Sequence, residues 1–118
     1  MMSKNILIAD DDHTLTRLIR KFLEDNDYDV MVAHDGEEAI ARYRERRPDL
    51  MILDVQMPKM NGYAVLFEMR KIDPAVVPVI VLTCKEEMED IFRVEGVKEY
   101  LVKPVKNSEL LEKIRLHI

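Results

Sequence analysis

A chain of 118 residues, 47% hydrophobic and 35% charged, has room for one core and not for two. Its net charge of -5 and pI near 5.2 leave no basic face for nucleic-acid phosphates. Cys84 is the only cysteine, which excludes an internal disulfide; no apolar run approaches the roughly 18 to 20 residues that cross a bilayer, and no basic and apolar leader is present, so one cytoplasmic domain over residues 1–118 is expected.

Ile6–Ala9 is an apolar run of strand length, and it runs straight into Asp10, Asp11 and Asp12. Three adjacent carboxylates raise one another's pKa unless something positive lies close. Leu15, Leu18, Ile19, Phe22 and Leu23 then fall at helical spacing with Arg17, Arg20, Lys21 and Glu24 opposite, predicting an amphipathic first helix capped by Asp12. Val30–Ala33, flanked by Asp29 and His34, predicts an edge strand. Asp35 and Glu38 pattern a capping box for a second helix through Ala39, Ile40 and Tyr43, which Pro48 ends, and "RYRERR" reads as its solvated last turns.

Leu50–Leu53 is a third strand ending at Asp54, followed by a turn at Met57-Pro58 and Asn61-Gly62. A third helix after Gly62 buries Val65, Leu66 and Met69 and has ended by Pro74. Val77–Leu82 is a fourth strand, with Thr83 at its end, and a short fourth helix around Glu86–Glu95 offers Met88, Ile91 and Phe92. Tyr100–Val102 is a fifth strand leading to Lys103, and Ser108 is positioned to cap a fifth helix whose stripe is Leu110, Leu111, Ile114 and Ile118. The eight methionines read mostly as core filler, with Met57 in the turn and Met60 partly exposed. Cys84 reads as a small packing residue, and His13, His34 and His117, which lack metal-ligand spacing, as surface residues.

Five alternations of strand and helix predict an α/β fold, a doubly wound five-stranded parallel sheet of flavodoxin-like order 2-1-3-4-5 with five helices on both faces. The first, third and fourth runs are uniformly apolar and belong in its centre. Ligands bind such sheets at the carboxyl ends of the strands. Asp10, Asp11, Asp54, Thr83 and Lys103 all fall there, so five residues scattered along the chain converge on one edge. Three carboxylates without His or Cys suit Mg²⁺ and not Zn²⁺. Lys103 adds a second positive charge and Thr83 a hydroxyl, so the cluster is arranged to hold a phosphoryl group that the Asp54 carboxylate could attack.

"ILIADDD", "MILDVQMPKMNG", "VIVLT" and "YLVKP", in this order and at these spacings, resemble the receiver domain of two-component response regulators over essentially the whole chain. The resemblance implies that Asp54 accepts a phosphoryl group from a sensor histidine kinase or histidine phosphotransfer protein, and that the domain regulates an output domain or effector without being an enzyme in the ordinary sense. It implies Mg²⁺ held by Asp11 directly, by Asp10 through water, by Asp54 and by the backbone carbonyl of Gln56. Thr83 and Lys103 would hold phosphoryl oxygens, Tyr100 would rotate inward as Thr83 moves, and Lys103–Pro104 would be a cis peptide. A homodimer would use the fourth helix, fifth strand and fifth helix.

The chain departs from the family pattern in several places. The stretch from Thr83 to Gly96 is about two residues short, which clips the fourth helix and bears on the dimer mode. Cys84 stands for the usual Ala or Ser, Val97 and Val105 for a usual Ala and a frequent Phe, and Asn26–Asp27 for a Gly after the first helix, a change that left-handed backbone tolerates. Two other functions share parts of this pattern. A Mg²⁺-dependent phosphohydrolase of the haloacid dehalogenase type also passes through an aspartyl phosphate, yet needs an acid two residues after the nucleophile, where this chain has Gln56. A flavin mononucleotide module would need a Ser/Thr- and Gly-rich first loop in place of three carboxylates.

Overall fold

The computed structural model describes residues 3–118. Strand and helix alternate as β1 (Asn5–Ala9), α1 (His13–Asp25), β2 (Asp29–Ala33), α2 (Gly36–Glu45), β3 (Leu50–Leu53), α3 (Gly62–Ile72), β4 (Val79–Thr83), α4 (Glu89–Val94), β5 (Glu99–Val102) and α5 (Asn107–His117), with a 3-10 turn at Glu86–Met88 ahead of α4. All strand pairings are parallel and the order is β2-β1-β3-β4-β5, as expected. Every residue of β1, β3 and β4 is buried, whereas the edge strands β2 and β5 are partly open.

Alternate residues of a strand face opposite sides, so each apolar run feeds two cores. Ile6, Ile8, Ile52, Ile80 and Leu82 meet Ile19 and Leu23 of α1 and Leu110 and Ile114 of α5. Leu7, Ala9, Met51, Leu53 and Val81 meet Ala39, Val65, Leu66, Met69 and Phe92 from α2, α3 and α4 on the other side. The two helix layers cover both faces of the sheet, and the polar residues that end its strands gather at its carboxyl edge.

Several expectations need correction. The fourth strand begins at Val79 and not Val77, because Pro78 has no N–H for the ladder and the Val77 N–H is taken by the Tyr43 hydroxyl. Ser108 does not cap α5: the Lys106 carbonyl already accepts from the Leu110 N–H at 3.0 Å, so Ser108 lies inside the first turn. Leu18 is 62% exposed and Ile91 47%, since a helix lying on a sheet covers a narrower stripe than its apolar pattern suggests. The methionines do serve the core: Met51 and Met69 are fully buried in it, and Met31, Met57, Met60 and Met88 are half-buried against it. Asp27 does adopt the left-handed backbone, at φ 70°.

"RYRERR" is more than a solvated face. The Tyr43 hydroxyl donates to Asp73 Oδ2 at 2.6 Å and accepts from the Val77 N–H at 3.2 Å, and Arg47 binds the same carboxylate at 2.7 Å. Burial, and then the Asp73 hydrogen bond, push the Tyr43 hydroxyl up to about 12. Tyr43→Phe leaves a buried N–H unpaired and is expected to cost about 2 kcal/mol, read as a lower urea midpoint at unchanged slope. The bonds from Tyr43 and Arg47 hold Asp73 below the usual carboxylate range, so its contribution is present above that range and is lost as pH falls through the depressed value.

Candidate functional site

The ladder itself aligns two of the carboxylates. The Asp10 N–H donates to the Ala33 carbonyl at 3.0 Å and the Asp54 N–H to the Ala9 carbonyl at 2.9 Å, which sets the ends of β1 and β3 side by side. From the far side of β4, the Lys103 N–H donates to the Thr83 carbonyl at 2.8 Å, and Lys103–Pro104 is a cis peptide. The long lysine side chain reaches across the end of β4. Its Nζ stands 2.8 Å from Asp10 Oδ2 and 3.1 Å from Asp54 Oδ2.

Asp10 and Asp54 are buried while Asp11 is exposed, yet one oxygen from each of the three lies within 4.8 Å of the others. Asp12 is not part of this set, because its carboxylate caps α1 by accepting from the Leu15 N–H at 3.0 Å. The second oxygens of the buried pair are also occupied: the Asp12 N–H donates to Asp10 Oδ1 at 2.9 Å and the Gln56 N–H to Asp54 Oδ1 at 3.2 Å. Burial raises the Asp10 carboxyl above its ordinary value against the opposing hydrogen bond of Lys103. Burial also works against the Lys103 ammonium, but its bonds to Asp10 and the charge of Asp54 outweigh that and raise its pKa. One ammonium faces three carboxylates, so the cluster keeps an excess of negative charge.

The loop after β3 is pressed tightly over this cluster. A Cβ on Gly62 would collide with the Asp54 carbonyl oxygen and stand 2.9 Å from Val55 Cα, so only glycine lets α3 start so close to the Asp54 main chain. Above it opens a cleft of about 600 Å³ lined by Asp11, Gln56, Met57, Asn61, Lys85 and Met88. The Gln56 side chain is exposed and only its main chain touches the site.

Thr83 is fully buried and its hydroxyl accepts from the Lys85 N–H at 3.3 Å; no bond joins it to the carboxylates. Tyr100 is buried, 6.0 Å from the Phe92 ring, and its hydroxyl donates to the Lys85 carbonyl. Burial is the main reason the Tyr100 hydroxyl is raised. Lys85 thus anchors both hydroxyls through its main chain, a role sequence reasoning missed because a main-chain bond leaves no signal in residue type. Cys84 is exposed, lining a cleft with Asp12, Lys103 and Pro104, and is not a packing residue. Of the histidines, His13 is exposed as expected, but two are not plain surface residues: His34 is half-buried against His13 and the Asp10 main chain, and His117 is half-buried and pairs with Glu99 at 2.9 Å.

A doubly wound parallel sheet with buried carboxylates, an exposed third one and a lysine at its carboxyl edge defines a phospho-accepting switch domain. The family model of the response regulator receiver domain matches residues 6–115. Among curated relatives, the transcriptional regulatory protein CpxR of Klebsiella pneumoniae is 42% identical over 112 residues, covering 93% of this chain and 47% of CpxR. The alkaline phosphatase synthesis transcriptional regulatory protein PhoP of Bacillus subtilis is 35% identical over 116 residues, covering 97% of this chain and 48% of PhoP. The chain spans about half the length of these relatives. Among solved structures, a CheY-like receiver domain protein from Methanospirillum hungatei superposes with a TM-score of 0.90 at 31% identity, covering 98% of this chain and 93% of the other. The Thermotoga maritima response regulator TrrA, crystallised in complex with Mg²⁺-BeF, gives 0.88 at 31% identity, covering 98% and 99%. The chain belongs to the response regulator receiver domain family, the phospho-accepting switches of two-component systems. Among the described residues, no helix is long and apolar enough to cross a membrane.

Proposed function

We propose that Asp54 is the residue that accepts the phosphoryl group, in a Mg²⁺-dependent transfer from a sensor histidine kinase or histidine phosphotransfer protein. The observation that carries this reading is Lys103 Nζ bridging Asp10 and Asp54 beside an exposed Asp11. A donor set of three carboxylates with no His or Cys fits a hard divalent cation, and the excess negative charge asks for one. Asp11 would bind it directly, Asp10 through water, and Asp54 and the Gln56 carbonyl would complete the protein ligands. Once bound, Mg²⁺ draws charge from the phosphoryl oxygens and lets an anion enter the site.

An Asp54 oxygen then forms the new bond to phosphorus with its lone pair, while the bond from phosphorus to the donor nitrogen or oxygen breaks and the donor leaves with that pair. Lys103 shifts its hydrogen bond from the carboxylate to a phosphoryl oxygen, and the Thr83 hydroxyl swings to another. That swing releases the Lys85 N–H, and Lys85 also holds the Tyr100 hydroxyl, so the two switch residues share one hinge. The domain acts in the cytoplasm and catalyses only its own phosphorylation and dephosphorylation. It passes the change to an output domain or effector, with the face of α4, β5 and α5 as the surface for pairing with a second copy. Intact-mass measurement after incubation with acetyl phosphate tests this: one phosphoryl group is expected with Mg²⁺ and none with a chelator. Equal uptake in both would overturn the metal reading.

A further inference from the structure

Asp11 is the exposed member of the acidic set, and no hydrogen bond holds its carboxylate among the described residues. Its aim is therefore inherited from the main chain on either side. On one side the Asp12 N–H is tied to Asp10 Oδ1. On the other is the Asp10 carbonyl, whose orientation fixes the peptide plane leading into Asp11. In a continued ladder that carbonyl would accept from the Asp35 N–H, since the Asp10 N–H already donates to Ala33. The ladder stops because β2 ends at Ala33 and Asp35 turns away to cap α2.

The His34 ring fills the gap, with Nδ1 3.1 Å from the Asp10 carbonyl oxygen. A carbonyl oxygen only accepts, so Nδ1 carries the proton and donates it. The ring is held at both ends. Its own main-chain N–H donates to Glu38 Oε1 at 2.6 Å, and the His13 ring stacks on it at 3.7 Å between centroids and 13° between planes.

We infer that His34, buttressed by His13, is a positioning residue that extends the β1 to β2 ladder by one side-chain bond and so aims Asp11 at the divalent cation. The inference rests on the proposed metal site and deepens it. His34 touches neither metal nor phosphoryl group; it acts through the Asp10 carbonyl, as outer-shell partners of metal ligands do.

Isothermal titration calorimetry with MgCl₂, on wild type, His34→Phe, His34→Asn and His13→Ala, tests this. Phe keeps a ring for His13 to stack on but has no N–H, and Mg²⁺ affinity is expected to fall roughly tenfold. Asn places an amide N–H near the position of Nδ1 and is expected to restore most of the affinity, while His13→Ala falls between. A merely structural ring would not separate Asn from Phe in this way. Wild-type affinity in His34→Phe, or equal losses in Phe and Asn, overturns the inference. If His34→Phe does not fold, weakened binding in His34→Asn overturns it instead. Wild-type protein that takes up no Mg²⁺ removes the metal site itself, an outcome distinct from a wild type that binds alongside an unaffected His34→Phe.

Discussion

Asp54→Asn is expected to abolish phosphoryl uptake from acetyl phosphate in the presence of Mg²⁺, a loss of roughly 10⁴-fold or more if it follows other removals of a nucleophile. The substitution keeps the shape of the side chain and its bond to the Gln56 N–H, so failure of uptake reports the missing lone-pair donor and not a disturbed loop. Folding is expected to survive. Lys103 retains its 2.8 Å bond to Asp10, which leaves a matched buried pair where two carboxylates had shared one ammonium. Metal-free Asp54→Asn should therefore melt no lower than wild type, while the upward shift that Mg²⁺ gives the wild type shrinks. Uptake at the wild-type rate would place the nucleophile elsewhere and end the assignment.

The phosphohydrolase alternative is disfavoured by the same geometry. Two residues after Asp54 stands Gln56, which has no proton to shuttle and whose side chain points into solvent.

The sheet and its polar edge were legible because they rest on local pattern. Uniformly apolar β1, β3 and β4 could only be central, and each ends in a residue whose polarity a buried strand would not tolerate further in: Asp10, Asp54 and Thr83. What stayed hidden depends on contacts between segments far apart in the chain. Nothing local to Tyr43 announces a bond to Asp73 and the Val77 N–H, nor does His34 announce that the ladder beside it is one bond short. Ser108 misled for a local reason, since Lys106 opens α5 through its main chain and a side-chain cap is dispensable at an exposed helix end. Leu18 and Ile91 misled because helical spacing marks an apolar side and not how far the sheet beneath reaches round it. Thr83 ends β4 as its position after the apolar run predicts, but its hydroxyl's present partner, the Lys85 N–H, is a main-chain group that no residue pattern announces.

Lys103→Met should produce the largest change in stability. It keeps the aliphatic stem across the end of β4 and removes the one ammonium that, among the described residues, bonds Asp10 and Asp54, leaving two buried carboxylates facing each other with only the Asp12 and Gln56 N–H groups to offset them. Without metal at neutral pH the cost is expected to be about 3 kcal/mol, the range seen when one partner of a buried ion pair is removed. The pH dependence then identifies the cause. Burial already raises Asp10 above its unfolded value, and with the opposing bond from Lys103 gone it rises further, so the folded state binds a proton that the unfolded state has released. A raised carboxyl contributes stability that is complete below the unfolded pKa and disappears as pH climbs through the folded one. The variant should accordingly regain stability as pH falls through the raised Asp10 value toward the ordinary carboxylate range, and also on adding Mg²⁺ at neutral pH. Wild type should show the lysine's own signature at the alkaline end: the raised ammonium contributes below its ordinary range and is lost as pH rises through the raised value. Urea midpoints measured against pH for both chains, with and without MgCl₂, separate these effects. A Lys103→Met curve parallel to wild type on the acid side of neutrality would mean that the carboxylates do not depend on the lysine for their charge, and the electrostatic basis of the site would fail with it.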